Sequence, residues 1–275
     1  MIDSTTDLTP TYKERVHIVP LTVHFGDAEY IDGVTIDKRE FYEKLIETDT
    51  MPSTSQATPD GFMKEFEAAK AAGEAVVVIT LSSKLSGTYQ SACIAAADYE
   101  NIYIVDSMSA AIGTGVLVER AIELLDGGME AEEIAQTLEK EKSKVLVVAL
   151  IDTLEYLKKG GRISKTTAVV GGMLNIKPVA SIENGIINIL GKARGSKMGN
   201  NILMEEIRKA GGVDFSRPVL LGYTGISDAL LLKYIEDSKH IWEGNLENIR
   251  YEIIGSVIGT HAGPGAVAVA FFKNE

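Results

Sequence analysis

Short runs rich in valine and isoleucine alternate with longer segments whose apolar residues recur every three or four positions, and this alternation constrains the fold more than any other feature. Runs at 75–81, 101–105, 144–151, 218–222, 251–257 and 266–272 have the length and β-branched content of buried strands. Segments 37–48, 59–72, 86–99, 110–125 and 131–142 carry helical spacing, and Gly127 and Gly128 stop the fourth. Segments 200–210 and 228–240 repeat the pattern, with Gly211 and Gly212 ending the first of them. Strand and helix in alternation predict a parallel sheet with crossover helices. Residues 177–182 and 186–190 instead flank Glu183, Asn184 and Gly185, the chemistry of a hairpin and hence of a second, mixed sheet. The expectation is an α/β protein of two domains: a Rossmann-like parallel-sheet domain at 1–151 and a mixed-sheet domain at 152–275. Ligands often bind at such a junction.

A chain of 275 residues can bury a real core, and 45% hydrophobic residues exclude disorder. With 27 basic and 39 acidic residues the formal charge is −12, a field that repels nucleic acid and anionic membranes. Every apolar run falls short of the roughly 18 residues a membrane span needs. The single cysteine cannot form an internal disulfide and no signal-peptide pattern opens the chain, so a cytoplasmic location is expected. Four histidines and that cysteine, in no ligating spacing, predict no metal.

Four segments have the chemistry of a polar site, and each also has a plain structural account. Thr54 and Ser55 lie in a run of hydroxyls before a helix that Thr58 can cap and Pro59 can start. Ser86 follows a buried strand and opens a helix, where free N–H groups favour an anion; serines also cap helices there. Lys158 and Lys159 suit a helix C-terminus and Gly160 and Gly161 suit its left-handed exit, which leaves the guanidinium of Arg162 for a carboxylate or phosphate. His261 sits in a glycine-rich stretch, read as a turn between two strands, where a ligand can approach the backbone.

Taken together these pieces resemble one family, the DegV proteins, which include the fatty-acid-binding subunits of bacterial fatty acid kinase. The matching stretches are 3–8 (DSTTDL), 52–56 (PSTSQ), 81–92 (LSSKLSGTYQSA), 156–164 (YLKKGGRIS), Lys177 with Pro178, and 259–266 (GTHAGPGA). The resemblance spans nearly the whole chain. It implies a protein that holds one long-chain fatty acid, such as palmitate, stearate or oleate, in a tunnel between its domains. It further implies presentation of that acid to a separate fatty acid kinase catalytic subunit, with no cofactor and no catalysis of its own. Carried onto this sequence, Thr54 and Ser86 bond the carboxylate, Ser55 supports them, and Arg162 and His261 complete the site. One departure stands out: family members begin with a full apolar strand before the DST stretch, and only Met1 and Ile2 precede it here. Either the start lies upstream of Met1 or the sheet tolerates losing most of a strand.

At about 0.8 kcal/mol per buried CH2, a long acyl chain offers ~10 kcal/mol of gross transfer free energy, so the tail supplies affinity. An unpaired buried carboxylate is costly, so the head group sets orientation. The competing reading is an acyl or phosphoryl transferase with Ser86 as nucleophile, Arg162 as anion clamp and His261 as base. Neither a Gly-x-Ser-x-Gly elbow nor a phosphate-binding loop motif accompanies them.

Overall fold

The computed structural model describes residues 1–163 and 176–274. Within them the strands run β1 (Ile2–Asp3), β2 (Ile18–Val19), β3 (Thr22–Phe25), β4 (Ala28–Ile31), β5 (Ser53–Ser55), β6 (Val76–Thr80), β7 (Ile102–Asp106), β8 (Val145–Leu150), β9 (Ile176–Glu183), β10 (Ile186–Arg194), β11 (Leu220–Tyr223), β12 (Tyr251–Ile253) and β13 (Val267–Phe272). A four-stranded sheet in the order β2-β1-β6-β7 is parallel throughout. A six-stranded sheet in the order β10-β9-β8-β13-β11-β12 is mixed, with β11 and β12 its parallel pair. The expected α/β fold, parallel towards the N-terminus and mixed towards the C-terminus, is what the chain adopts.

The helix Ile112–Asp126 fills the space between these sheets. Its buried residues Ile112, Val116 and Leu117 share one apolar cluster with Ile79 and Val105 of the parallel sheet and with Val147 and Ala268 of the mixed one. Each fully buried aliphatic side chain of this kind stabilises by roughly 1.5–3 kcal/mol, so the two sheets are held mainly through this helix. Elsewhere the helices begin where local chemistry dictates. Asp37 and Glu40 form a reciprocal capping box for Lys38–Glu47, and Thr58 with Pro59 starts Pro59–Ala72.

Three features depart from the sequence reading. The run at 144–151, expected to close the N-terminal half, is an inner strand of the mixed sheet, flanked by β9 and β13. Its unbroken apolar character fits either sheet, so sequence alone could not choose. The strand expected at 251–257 stops at Ile253, and Ser256–Ala262 is a helix, so His261 is helical and not in a turn. The periodicity was present: Ile254, Val257, Ile258 and His261 stand at i, i+3, i+4 and i+7. Third, a small antiparallel sheet, β4-β3-β5, places Thr54 and Ser55 on a strand; β5, three hydroxyl residues, is too short and polar to read as one. Ile2 pairs with both Ile18 and Ile79, and the Met1 ammonium donates to the Val77 carbonyl at 2.8 Å.

Candidate functional site

Between the sheets lies a cavity of about 380 Å³. Thr54, Ser55, Ser86, Arg162 and His261 all border it, so the fold gathers every residue singled out from the sequence. Ser164, the last residue of the 156–164 stretch, lies outside the described residues. Most of the remaining wall is aliphatic: Leu81 and Leu85 beyond β6, Ala149 and Ala180 of the mixed sheet, and Ile254 and Val257 near the C-terminal helix.

Each polar side chain arrives by a different route. Thr54 faces the helix Ser256–Ala262, and its Oγ1 lies 2.9 Å from His261 Nε2. Ser55, one residue on along an extended strand, pairs through its hydroxyl with His24 Nε2 at 2.9 Å. Sequence reasoning missed His24, which had no motif around it. Ser86 accepts from the Thr88 backbone N–H at 3.3 Å and lies 3.0 Å from the Thr88 hydroxyl. It therefore supports the start of the helix Thr88–Ala95 while bordering the cavity, and the two readings of this serine are compatible. Gln56 was also missed, although it closes the 52–56 stretch. It borders the cavity, bonds Ser91 Oγ at 2.9 Å, and crosses so near Gly87 that a side chain there would overlap it.

Arg162 is held by backbone carbonyls, donating from Nε to Leu85 at 3.2 Å and from Nη1 to Gly160 at 2.6 Å. The two preceding glycines have separate tasks. Gly161 has φ +72°, the left-handed exit expected of a helix end. Gly160 has φ −72°, which any residue adopts. It is glycine because a Cβ would overlap His261 Nδ1. The expectation that both supply left-handed geometry is corrected accordingly.

That packing defines the electrostatics of His261. Burial, reinforced by the positive charge of Arg162, lowers its pKa to about 4, so the imidazole is neutral at pH 7. Nδ1 is buried with no hydrogen-bond partner. A bare acceptor is tolerated there better than an orphaned N–H. The favoured tautomer therefore carries its proton on Nε2 and donates to Thr54, leaving the Thr54 hydroxyl proton to be donated elsewhere.

The DSTTDL stretch stands behind the site. Asp3 is fully buried and accepts from Thr5 N, Thr5 Oγ1 and Leu81 N, fixing the loop that leads to Ser86. Asp7 accepts from Lys38 Nζ at 2.7 Å and from Gly255 N at 3.0 Å, fixing the approach to the helix of His261. Burial works against the Lys38 charge, but Asp7 and Glu252 more than offset it and raise its pKa. Among the described residues, no cluster of His, Cys, Asp or Glu could hold a metal, and no helix is long and apolar enough to cross a membrane.

Residues 1–274 match the model of the DegV family, described as uncharacterised proteins, and the chain belongs to that family. A DegV domain-containing protein of Caldanaerobacter subterraneus is 37% identical over 270 residues, covering 96% of this chain and 93% of that protein. A DegV family protein from Thermus thermophilus, solved as a fatty acid binder, superposes with a TM-score of 0.87 at 31% identity, covering 99% of this chain and 98% of its own. The fatty acid kinase B3 protein of Streptococcus pneumoniae, solved with linoleic acid, superposes with a TM-score of 0.85 at 26% identity, covering 99% and 98%.

Proposed function

We propose that this protein binds one long-chain fatty acid in the cavity between its sheets, in the cytoplasm, and presents the carboxylate to a separate fatty acid kinase without catalysing a reaction itself. One observation carries the reading: a mostly aliphatic cavity has Thr54, Ser86, Arg162 and His261 on its wall. The Thr54 hydroxyl, its oxygen already engaged by His261, offers its proton to a carboxylate; Ser86 and the Arg162 guanidinium supply further donors and a positive charge. A neutral imidazole suits the role, since its work is to orient Thr54. The aliphatic walls take the acyl chain, whose burial supplies most of the affinity. Fatty acids in two related structures, one from a kinase-associated protein, support the same ligand class.

The transferase reading has less support. His261 hydrogen-bonds Thr54, while the Ser86 hydroxyl is turned to Thr88, so no nucleophile–base pair joins Ser86 to His261. Nor does a carboxylate orient His261 Nδ1, the third member such an arrangement relies on.

The decisive experiment is denaturing extraction of the purified protein followed by mass spectrometry of the released acids. A stoichiometric long-chain fatty acid is expected. An empty extract, with no thermal shift on adding palmitate or oleate, would sink the proposal. Kinase presentation is tested separately, by acyl phosphate formation with ATP and a fatty acid kinase catalytic subunit.

A further inference from the structure

Beyond the pairing of β8 with β9, which ends at Val147 and Ile182, the β9–β10 hairpin runs on to a tip at Asn184 and Gly185. The tip crosses to the other side of the cavity and lands on the loop that follows β6. Ser82 Oγ donates to the Gly185 carbonyl at 2.8 Å, and Lys84 Nζ donates to the Asn184 carbonyl at 2.8 Å. Met108 closes on Gly185 from the segment after β7. Asp106 braces the seat, its Oδ1 accepting from Ser83 N and Met108 N. Gly185 is buried and has φ +78°. Any Cβ there would stand 2.5 Å from Ser82 Oγ.

Three non-glycine residues among those described have left-handed φ, and all belong to this neighbourhood: Asn184 in the tip, Met108 in the seat, and Ala111 in the cavity wall. Backbone held in sparsely populated conformations concentrates where a structure switches or clamps. The cavity walls on the two sides are continuous with the contact, since Leu81 and Leu85 flank Ser82 and Lys84 while Ile182 and Ile187 flank the tip.

We propose that the Asn184–Gly185 tip is a latch over the acyl cavity, seated on Ser82, Lys84 and Met108, and that its release is the step through which a fatty acid enters and leaves. The proposal rests on the fatty-acid reading above and adds the route and the kinetic gate. Two side-chain bonds to carbonyls are far easier to break than the aliphatic packing of the helix Ile112–Asp126 against both sheets, so opening is expected at the tip. A gate that closes alike over the empty and the filled cavity changes entry and exit together and leaves affinity unchanged.

The test uses the full chain with Cys93→Ala, and stopped-flow exchange of the fluorescent polyene cis-parinaric acid. Ser82→Cys with Gly185→Cys brings two thiols within reach of a disulfide across the latch. Oxidation is expected to slow association and dissociation alike by roughly tenfold or more, with full recovery on reduction. Lys84→Met, an exposed substitution that does not depend on bridge formation, is expected to speed both by roughly threefold, the scale of one lost hydrogen bond, with Kd unchanged. Wild-type exchange rates in the oxidised bridge, or unchanged rates in Lys84→Met, overturn the latch while leaving the acyl site standing. A wild-type protein that takes up no parinaric acid overturns the fatty-acid reading itself, and the latch with it.

Discussion

Two buried polar corners face each other across the helix Ser256–Ala262, and they are built on opposite principles. At its start, Asp7 and Lys38 form an ion pair that reaches Gly255 N and the Ile253 carbonyl, with charge matched by charge. At its end, His261 is kept neutral, its Nδ1 has no partner, and its Nε2 meets a threonine hydroxyl on the cavity wall. The first corner sets its charges against each other and against backbone groups and holds elements in place, although Asp7 Oδ2 and Ser256 Oγ stay unpaired there. The second sets a neutral imidazole and the Thr54 hydroxyl on the cavity wall.

The contrast breaks first if the ion pair proves dispensable. Lys38→Met strands a buried carboxylate and is expected to lower stability by about 3–4 kcal/mol in urea unfolding, with fatty acid stoichiometry per folded molecule unchanged. Asp7→Asn added to it restores most of the loss.

Titration sharpens the contrast, because the corners respond to acid in opposite directions. His261 falls from its ordinary value of 6.5 to about 4, so between those values the unfolded chain binds the proton and the folded one does not. Its contribution is intact above pH 6.5 and is lost as pH falls towards 4, on the order of 3 kcal/mol. Asp32, beside the Asp7 corner, is raised by burial from 3.8 to about 6. Its contribution is intact below pH 3.8 and is lost as pH rises towards 6. Unfolding curves of His261→Gln and Asp32→Asn across pH 4–7 are therefore expected to depart from wild type with slopes of opposite sign.

Smaller effects separate the two glycines. Gly160→Ala drives a methyl group into His261 and is expected to cost about 2 kcal/mol and to weaken fatty acid binding. Gly161→Ala is expected to cost about 1 kcal/mol through its left-handed φ, with affinity preserved. Smallest is Ser86→Ala, which loses part of the head-group bonding and raises the Kd roughly fivefold without unfolding the protein. Isothermal titration with oleate reads all three affinities, and an unchanged Kd in Ser86→Ala would remove that serine from the site.

Much of this was legible along the chain. Valine- and isoleucine-rich runs located the long strands, a hairpin turn at Asn184 and Gly185 announced the mixed sheet, and the hydroxyl, glycine and basic stretches marked the residues that border the cavity. The misreadings have particular causes. The helix of His261 reads as strand and turn because β-branched residues and glycines outweigh a correct i, i+3, i+4, i+7 spacing. Thr54 and Ser55 looked like loop because β5 is three polar residues whose partner, β3, is remote in sequence.

The sequence by itself determined the periodicities, and with them the fold class, because strand and helix spacing are local properties that neighbouring residues settle among themselves. It also determined which side chains had the chemistry for an anion. Only the tertiary structure decided that β8 joins the mixed sheet, that Gly160 exists to make room for His261, and that Asp3 and Asp7 brace the two site loops from behind. Those facts depend on contacts between residues far apart in the chain, Leu150 with Val267, Gly160 with His261, Asp3 with Leu81 and Asp7 with Gly255, which no local pattern encodes.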